Sequence, residues 1–257
     1  YGPLDPSMTR GLDCDWVQFD QYFARLEAQG LGTNTATLVG HGNIRVAAMG
    51  YENRAPTAQE MNSMLDLTEQ AMSDGCFGLS SGLAYAPGPY AEPEELVALS
   101  EVVARYEGIY TSHIRNQTEC IAAAVGEVIN VGQQARLASH VSHMQPGDPM
   151  IGSTRQLLED MDVLRADGVD ISCDAIPYTI GSTTLKSLLP PWALDGGDES
   201  LLRRLRDPDL REQIKADTMQ HGAESGGSRK RNLVKSEQWE KIWLGSAEQN
   251  AHLAGLD

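Results

Sequence analysis

Tyr110-Thr-Ser-His113-Ile-Arg115, answered about thirty residues later by Ser139-His140-Val-Ser-His143, decides how this chain is read. Each stretch is short, β-prone and ends on a histidine. Between them, Thr118 to Gln134 carries an amphipathic helical pattern. Strand, helix and strand in that order describe a βα repeat. Histidines at the ends of successive parallel strands can reach one point in space, and neutral imidazole is a good zinc ligand. A strand-end histidine can equally be a structural hydrogen-bonding group, and spacing alone leaves both readings open. His140 lies three residues before His143, so alternation puts it on the opposite strand face, where it reads as a packing residue.

Working outward, the same unit recurs. Asp13 to Gln29 reads as a helix with Asp15 as N-cap and Phe19, Tyr22, Phe23 and Leu26 as its apolar stripe. Thr35 to Gly40 is a strand leading into a Gly40-His41-Gly42 loop. Thr57 and Glu60 form a capping box for a helix that ends at Gly75. Cys76 to Ser81 is the next strand, followed by the Gly- and Pro-rich loop Gly82 to Gly88. Pro93 opens a helix to Glu107, and Gly108 to His113 is the strand after it. Leu137 to His143, a helix from Arg155 to Asp167 and a strand from Val169 to Asp174 complete five alternations. A parallel sheet follows from that rhythm. No Gly-rich phosphate loop follows the first strand, which disfavours an open doubly wound sheet and favours part of a (β/α)₈ TIM-type barrel. Residues 1–180 are therefore read as a partial barrel of about five units. Residues 181–240 change in character and read as an inserted lid segment. Residues 241–257 return toward the barrel.

The 257 residues carry a formal net charge of −16. So acidic a surface repels phosphate backbones, which argues against a nucleic-acid partner. No run approaches eighteen apolar residues, so no membrane-spanning helix is expected, and the first residues lack the pattern of a signal peptide. Cys14, Cys76, Cys120 and Cys173 are widely spaced and read as reduced thiols, which suggests the cytoplasm.

Several other residues stand where chemistry could use them. Arg115, in the loop after His113, has a fork suited to a carboxylate or to a surface salt bridge. Tyr85 could donate to a polarised carbonyl, or sit in the core. Ser182 and Thr183 offer hydroxyls at the start of the insertion, or caps. His41 reads as a supporting or structural group, and Asp174 as a group that fixes a loop. Gly78-Leu-Ser80-Ser81-Gly82 spells a nucleophile elbow but lacks the helix that should follow it.

Taken together, six motifs in order resemble the N-acyl-D-amino-acid deacylases of the metal-dependent amidohydrolase superfamily. They are Val39-Gly-His-Gly-Asn-Ile-Arg45, Gly78 to Gly88, Ser112-His-Ile-Arg-Asn116, Val141-Ser-His143, Asp174-Ala-Ile-Pro-Tyr-Thr-Ile-Gly-Ser-Thr183, and Leu188-Leu-Pro-Pro-Trp-Ala-Leu194 with Gly196-Gly197. The resemblance implies a (β/α)₈ barrel with zinc at its mouth. It implies hydrolysis of N-acyl-D-amino acids, small-molecule substrates, by attack of metal-bound hydroxide. His113 and His143 fall on two zinc ligands, and Tyr85, Arg115 and Ser182 on substrate-pocket positions.

The family's H-x-H pair, metal-binding cysteine and catalytic aspartate have no counterpart here, so no catalytic base is identified and the chain alone is expected not to turn over. Met144-Gln145 replaces the family's frequent His-Lys, and Ile176 a usual tyrosine. Those changes motivate a second expectation, a non-catalytic binding or scaffold relative. A dihydroorotase- or hydantoinase-like enzyme is a third. It would need a bridging carboxylated lysine, whereas every lysine here lies in or after the insertion.

Overall fold

Local signals set the helices of this computed structural model, which describes residues 14–147, 149–178, 183–220, 242–245 and 252. Helix α1 is Phe19–Gln29. It starts later than Asp15 suggests, because the Gln21 side chain turns back to accept the Val17 and Gln18 N–H groups. Strand β1 is only Val39–Gly40, and α2, His41–Met49, follows at once where a glycine loop is expected. The reason is a buried stripe at helical spacing: His41, Ile44, Arg45 and Met49. Helix α3, Ala58–Ser73, has the anticipated capping box, with Glu60 N–H on Thr57 Oγ1 at 3.3 Å and Thr57 N–H on the Glu60 carboxylate at 2.7 Å.

Strand β2 is Gly78–Gly82 and β3 is Ile109–His113, with α4, Pro93–Ala104, between them. Helix α5 is Ile121–Ala135 and β4 is Ala138–Val141. Helix α6, Thr154–Ala166, leads to β5, Ile171–Cys173. All five strands are parallel and lie in sequential order, β1-β2-β3-β4-β5. A doubly wound sheet reverses its order at a switch point, whereas a barrel does not. The described sheet is thus part of a barrel wall.

Register gives the two faces different jobs. Val39, Leu79, Tyr110, Ser139 and Ile171 align across the strands, as do Gly40, Ser80, Thr111, His140 and Ser172. Val39, Leu79, Tyr110 and Ile171 of the first row pack in one continuous apolar core with Met64, Leu96, Leu99, Val103 and Val128 of the helices. Its members Leu79, Tyr110 and Ile171 are fully buried, each burial contributing about 1.5–3 kcal/mol. The second row, small and polar, faces the barrel interior. His140 belongs to it. It is therefore not the packing residue that the spacing suggests.

Beyond β5, Leu185–Leu188 and Pro191–Leu194 form 3₁₀ turns, followed by α7, Gly197–Arg206, and α8, Pro208–Gln220. Ala193, Leu201 and Ile214 make a small second core there, and Trp192 Nε1 donates to Asp217 at 2.7 Å. This unit rests on loops at the carboxyl edge of the sheet. Tyr90 Oη donates to Pro191 C=O at 2.7 Å, Gly196 N–H to Tyr51 C=O at 3.0 Å, and Asn53 N–H to Asp195 at 2.7 Å. Among the described residues no helix is long and apolar enough to cross a membrane.

Candidate functional site

Strands β3 and β4 end side by side. His113 closes β3 on its interior face, and its carbonyl accepts the Leu83 N–H at 3.0 Å from the end of β2. His143 stands two residues beyond β4. Strand alternation would send it to the helix side with Val141. Instead its backbone takes the left-handed conformation, φ 38°, and the ring meets His113. His113 Nδ1 lies 2.8 Å from His143 Nε2, with the rings edge to face at 4.4 Å between centroids.

Tyr85 lies in the loop Gly82–Gly88, which is cinched by Tyr85 N–H on Gly82 C=O and Gly88 N–H on Tyr85 C=O. Gly88 is required by contact: a Cβ there would stand 2.2 Å from the Gly82 carbonyl oxygen. The Tyr85 ring packs at 4.8 Å from that of His113, and its hydroxyl is 3.3 Å from Thr183 Oγ1. Tyr85, His113, His143 and Thr183 are thereby brought together. Ser182 lies outside the described residues.

Arg115 is engaged within the chain. Its fork does hold a carboxylate, but that carboxylate belongs to this chain. Nε and Nη2 donate to Glu127 of α5 at 3.1 and 2.8 Å, while Nη1 and Nη2 reach the Pro89 and Ala91 carbonyls at 2.9 Å each. Arg115 ties the loop after β2 to α5.

Two groups support the pair: Gln117, which had no obvious signal in the sequence, and Asp174, which reads there as a group that fixes a loop and does so. Gln117 is buried, its amide nitrogen 3.1 Å from His143 Nδ1 and 3.2 Å from the His143 carbonyl. Donation to Nδ1 leaves the ring proton on Nε2, facing His113. A turned amide, accepting from Nδ1–H, presents the Nε2 lone pair instead. Asp174, just after β5, accepts the His143 N–H and faces His140 Nε2 at 3.3 Å. Partial burial raises the Asp174 pKa, but hydrogen bonds from the His143 N–H and from His140 outweigh it and hold the carboxyl below its usual range.

His41 is structural. It lies under α4, 2.7 Å from Glu95, whose other oxygen takes Arg45 Nη1. All three are buried.

The donor set of His113 and His143 suits zinc. Two nitrogens bound to a tetrahedral zinc stand roughly 3.3 Å apart, so the pair would open by about 0.5 Å. Among the described residues no group of three His, Cys, Asp or Glu side chains could hold a metal, so this pair would be part of a ligand shell. Met144, where the family often has histidine, is 3% exposed and packs in the main core rather than at the mouth.

No family model matches the chain. It is 42% identical over 167 residues to N-acyl-D-glutamate deacylase of Alcaligenes xylosoxydans xylosoxydans, covering 64% of this chain and 34% of that relative. A crystal structure of N-acyl-D-glutamate deacylase from Bordetella bronchiseptica, complexed with zinc and a phosphonate mimic of the tetrahedral intermediate, superposes with a TM-score of 0.61. It is 40% identical and covers 65% of this chain and 36% of that one. A crystal structure of D-aminoacylase, described as defining a subset of the amidohydrolases, gives a TM-score of 0.63 at 28% identity, covering 77% of this chain and 45% of that one. The chain spans about a third of the length of the curated relatives it matches. The fold is that of an amidohydrolase-type barrel, in part. In sequence, the matched stretch is a relative of the N-acyl-D-amino-acid deacylases.

Proposed function

We propose that this chain belongs to a zinc-dependent hydrolase that cleaves the amide bond of N-acyl-D-amino acids, giving a carboxylate and a free D-amino acid. The observation that carries this reading is the meeting of His113 and His143 at the carboxyl edge of adjacent strands, in a chain related to N-acyl-D-glutamate deacylase. His113 and His143 would hold the metal. Zinc, when bound, lowers the pKa of a coordinated water toward about 7 and polarises an acyl carbonyl.

Tyr85 stands against His113 with its hydroxyl directed to Thr183. There it would donate a hydrogen bond to the acyl oxygen as negative charge develops. Ser182, outside the described residues, would contact the substrate. Arg115 would act only by holding the loop after β2 in place. The insertion read over residues 181–240, of which 181–182 and 221–240 lie outside the described residues, would serve as a lid that excludes water from the mouth. The remaining ligands and the general base would come from beyond these residues, so the 257 residues alone would not turn over. The four cysteines are unbridged, which suits a reducing cytoplasm.

Among the amidohydrolase alternatives, a bridging carboxylated lysine has little support, because every lysine of the chain lies in or after the insertion. The test is metal analysis of the full-length protein containing this chain, beside rates on a panel of N-acyl-D- and N-acyl-L-amino acids. Bound zinc that falls in His113→Ala, with turnover restricted to D-substrates, is expected. Stoichiometric zinc in His113→Ala, or no hydrolysis by the zinc-loaded parent, would sink the reading and favour a non-catalytic scaffold.

A further inference from the structure

His143 needs a device that keeps its ring on the wrong side of its own strand. Among the described residues only Glu107, Arg136 and His143 are non-glycine residues with positive φ. Arg136 caps a helix and Glu107 follows one. His143 alone of the three belongs to the candidate site. A non-glycine residue in this region is disfavoured and persists only where its surroundings over-determine it.

Asp174 supplies that constraint three times. Its N–H donates to the Val141 carbonyl at 3.2 Å, and its carbonyl accepts the Met144 N–H at 2.8 Å. Its carboxylate accepts the His143 N–H between them. The turn from 141 to 144 is therefore clasped by one residue of the neighbouring strand. Only the carboxylate contact depends on the side chain.

That carboxylate is itself held. Asp174 Oδ2 faces His140 Nε2 at 3.3 Å, and His140 Nδ1 lies 2.8 Å from Ser172 Oγ. A carboxylate only accepts, so His140 carries its proton on Nε2 and takes the Ser172 hydroxyl proton on Nδ1. The chain reads Ser172 O–H to His140, His140 Nε2–H to Asp174, and Asp174 from the His143 N–H. It runs across the interior polar row where β4 and β5 pair His140 with Ser172.

We propose that Asp174, steadied by His140 and Ser172, is a positioning residue that holds His143 in its left-handed turn and so presets the imidazole for metal. The proposal rests on the reading of His143 as a zinc ligand. Supporting groups of this kind typically change metal affinity about 10- to 100-fold when removed.

The experiment uses the full-length protein containing this chain, stripped of metal. Zinc affinity is measured by competition with a chromogenic chelator, and exchange of the His143 amide by NMR without metal. In D174A, zinc affinity should fall at least about tenfold and the His143 amide should exchange at least about tenfold faster. D174N, which keeps an acceptor oxygen, should restore both to within about threefold of the parent. Should D174A not fold, H140A breaks the next link and should weaken zinc about threefold. Parent-level zinc affinity in folded D174A or in H140A would overturn the proposal, as would failure of D174N to rescue. H143A separates the two claims: if it binds zinc as the parent does, the metal reading fails, whatever Asp174 does to amide exchange.

Discussion

Arg115 and Glu127 form a two-pronged ion pair, with Arg115 Nη2 2.8 Å and Nε 3.1 Å from the Glu127 carboxylate. The side chains are 22% and 14% exposed. Lysine would keep the charge and lose the fork. Arg115→Lys should therefore cost about 1–3 kcal/mol, read as a lower thermal midpoint of the full-length protein. KM for an N-acyl-D-amino acid should stay within about threefold. A KM raised a hundredfold at unchanged stability would restore Arg115 to the substrate pocket.

Glu95 sets an acid limit on stability. Burial raises its pKa, but the hydrogen bond and charge of His41, with those of Arg45, outweigh it, and the net direction is down. A depressed folded-state pKa stabilises above the unfolded carboxylate value, about 4.3, and that contribution disappears as pH falls through the folded value. Glu95→Gln should lose about 3–5 kcal/mol at pH 7, because it leaves Arg45 and His41 without their carboxylate. It should also flatten the decline below about pH 4.3. Urea midpoints from pH 3 to 7 check both. A parallel downward shift of the whole curve, with the acid limb as steep as before, would contradict the account.

Gly88 should not tolerate a methyl group. Alanine there puts Cβ 2.2 Å from the Gly82 oxygen and 3.2 Å from Leu83 Cα, both backbone atoms that cannot step aside alone. The loop must shift, taking Tyr85 away from His113. Gly88→Ala should lower kcat with zinc content unchanged, whereas a variant with parental kcat would show that the position of Tyr85 does not matter.

Leu99, fully buried between α4 and the sheet, tests the core. Leu99→Ala should cost about 2–5 kcal/mol, measured by urea unfolding. A loss below about 1 kcal/mol would mean that the site collapses to fill the void.

The alternation of strands and helices was legible because its signals are local: the Thr57–Glu60 box, Pro93, and stripes at 3.6-residue spacing. The meeting of His113 and His143 was inferable from the βα repeat. How His143 gets there was not. Nothing in Val141-Ser-His-Met144 marks a left-handed residue, and its clasp is thirty-one positions away in Asp174. Helix α2 was hidden by the glycines around His41, whose partner Glu95 is fifty-four positions on. Arg115 shows the same limit: a fork seeking a carboxylate does not reveal from sequence that it meets Glu127, twelve positions on. Met144, a departure from the family's pattern that the sequence does show, is buried in the main core.

The central claim is that His113 and His143 hold the metal of a D-specific deacylase. Its most direct test is the initial rate of free amino-acid release from N-acyl-D-glutamate and N-acyl-L-glutamate by the zinc-loaded full-length protein, parent beside His143→Ala. The account predicts release from the D-substrate only, reduced at least about a hundredfold in the variant, roughly 3 kcal/mol of lost transition-state stabilisation. Equal rates on both enantiomers, or parental turnover by His143→Ala, would contradict it.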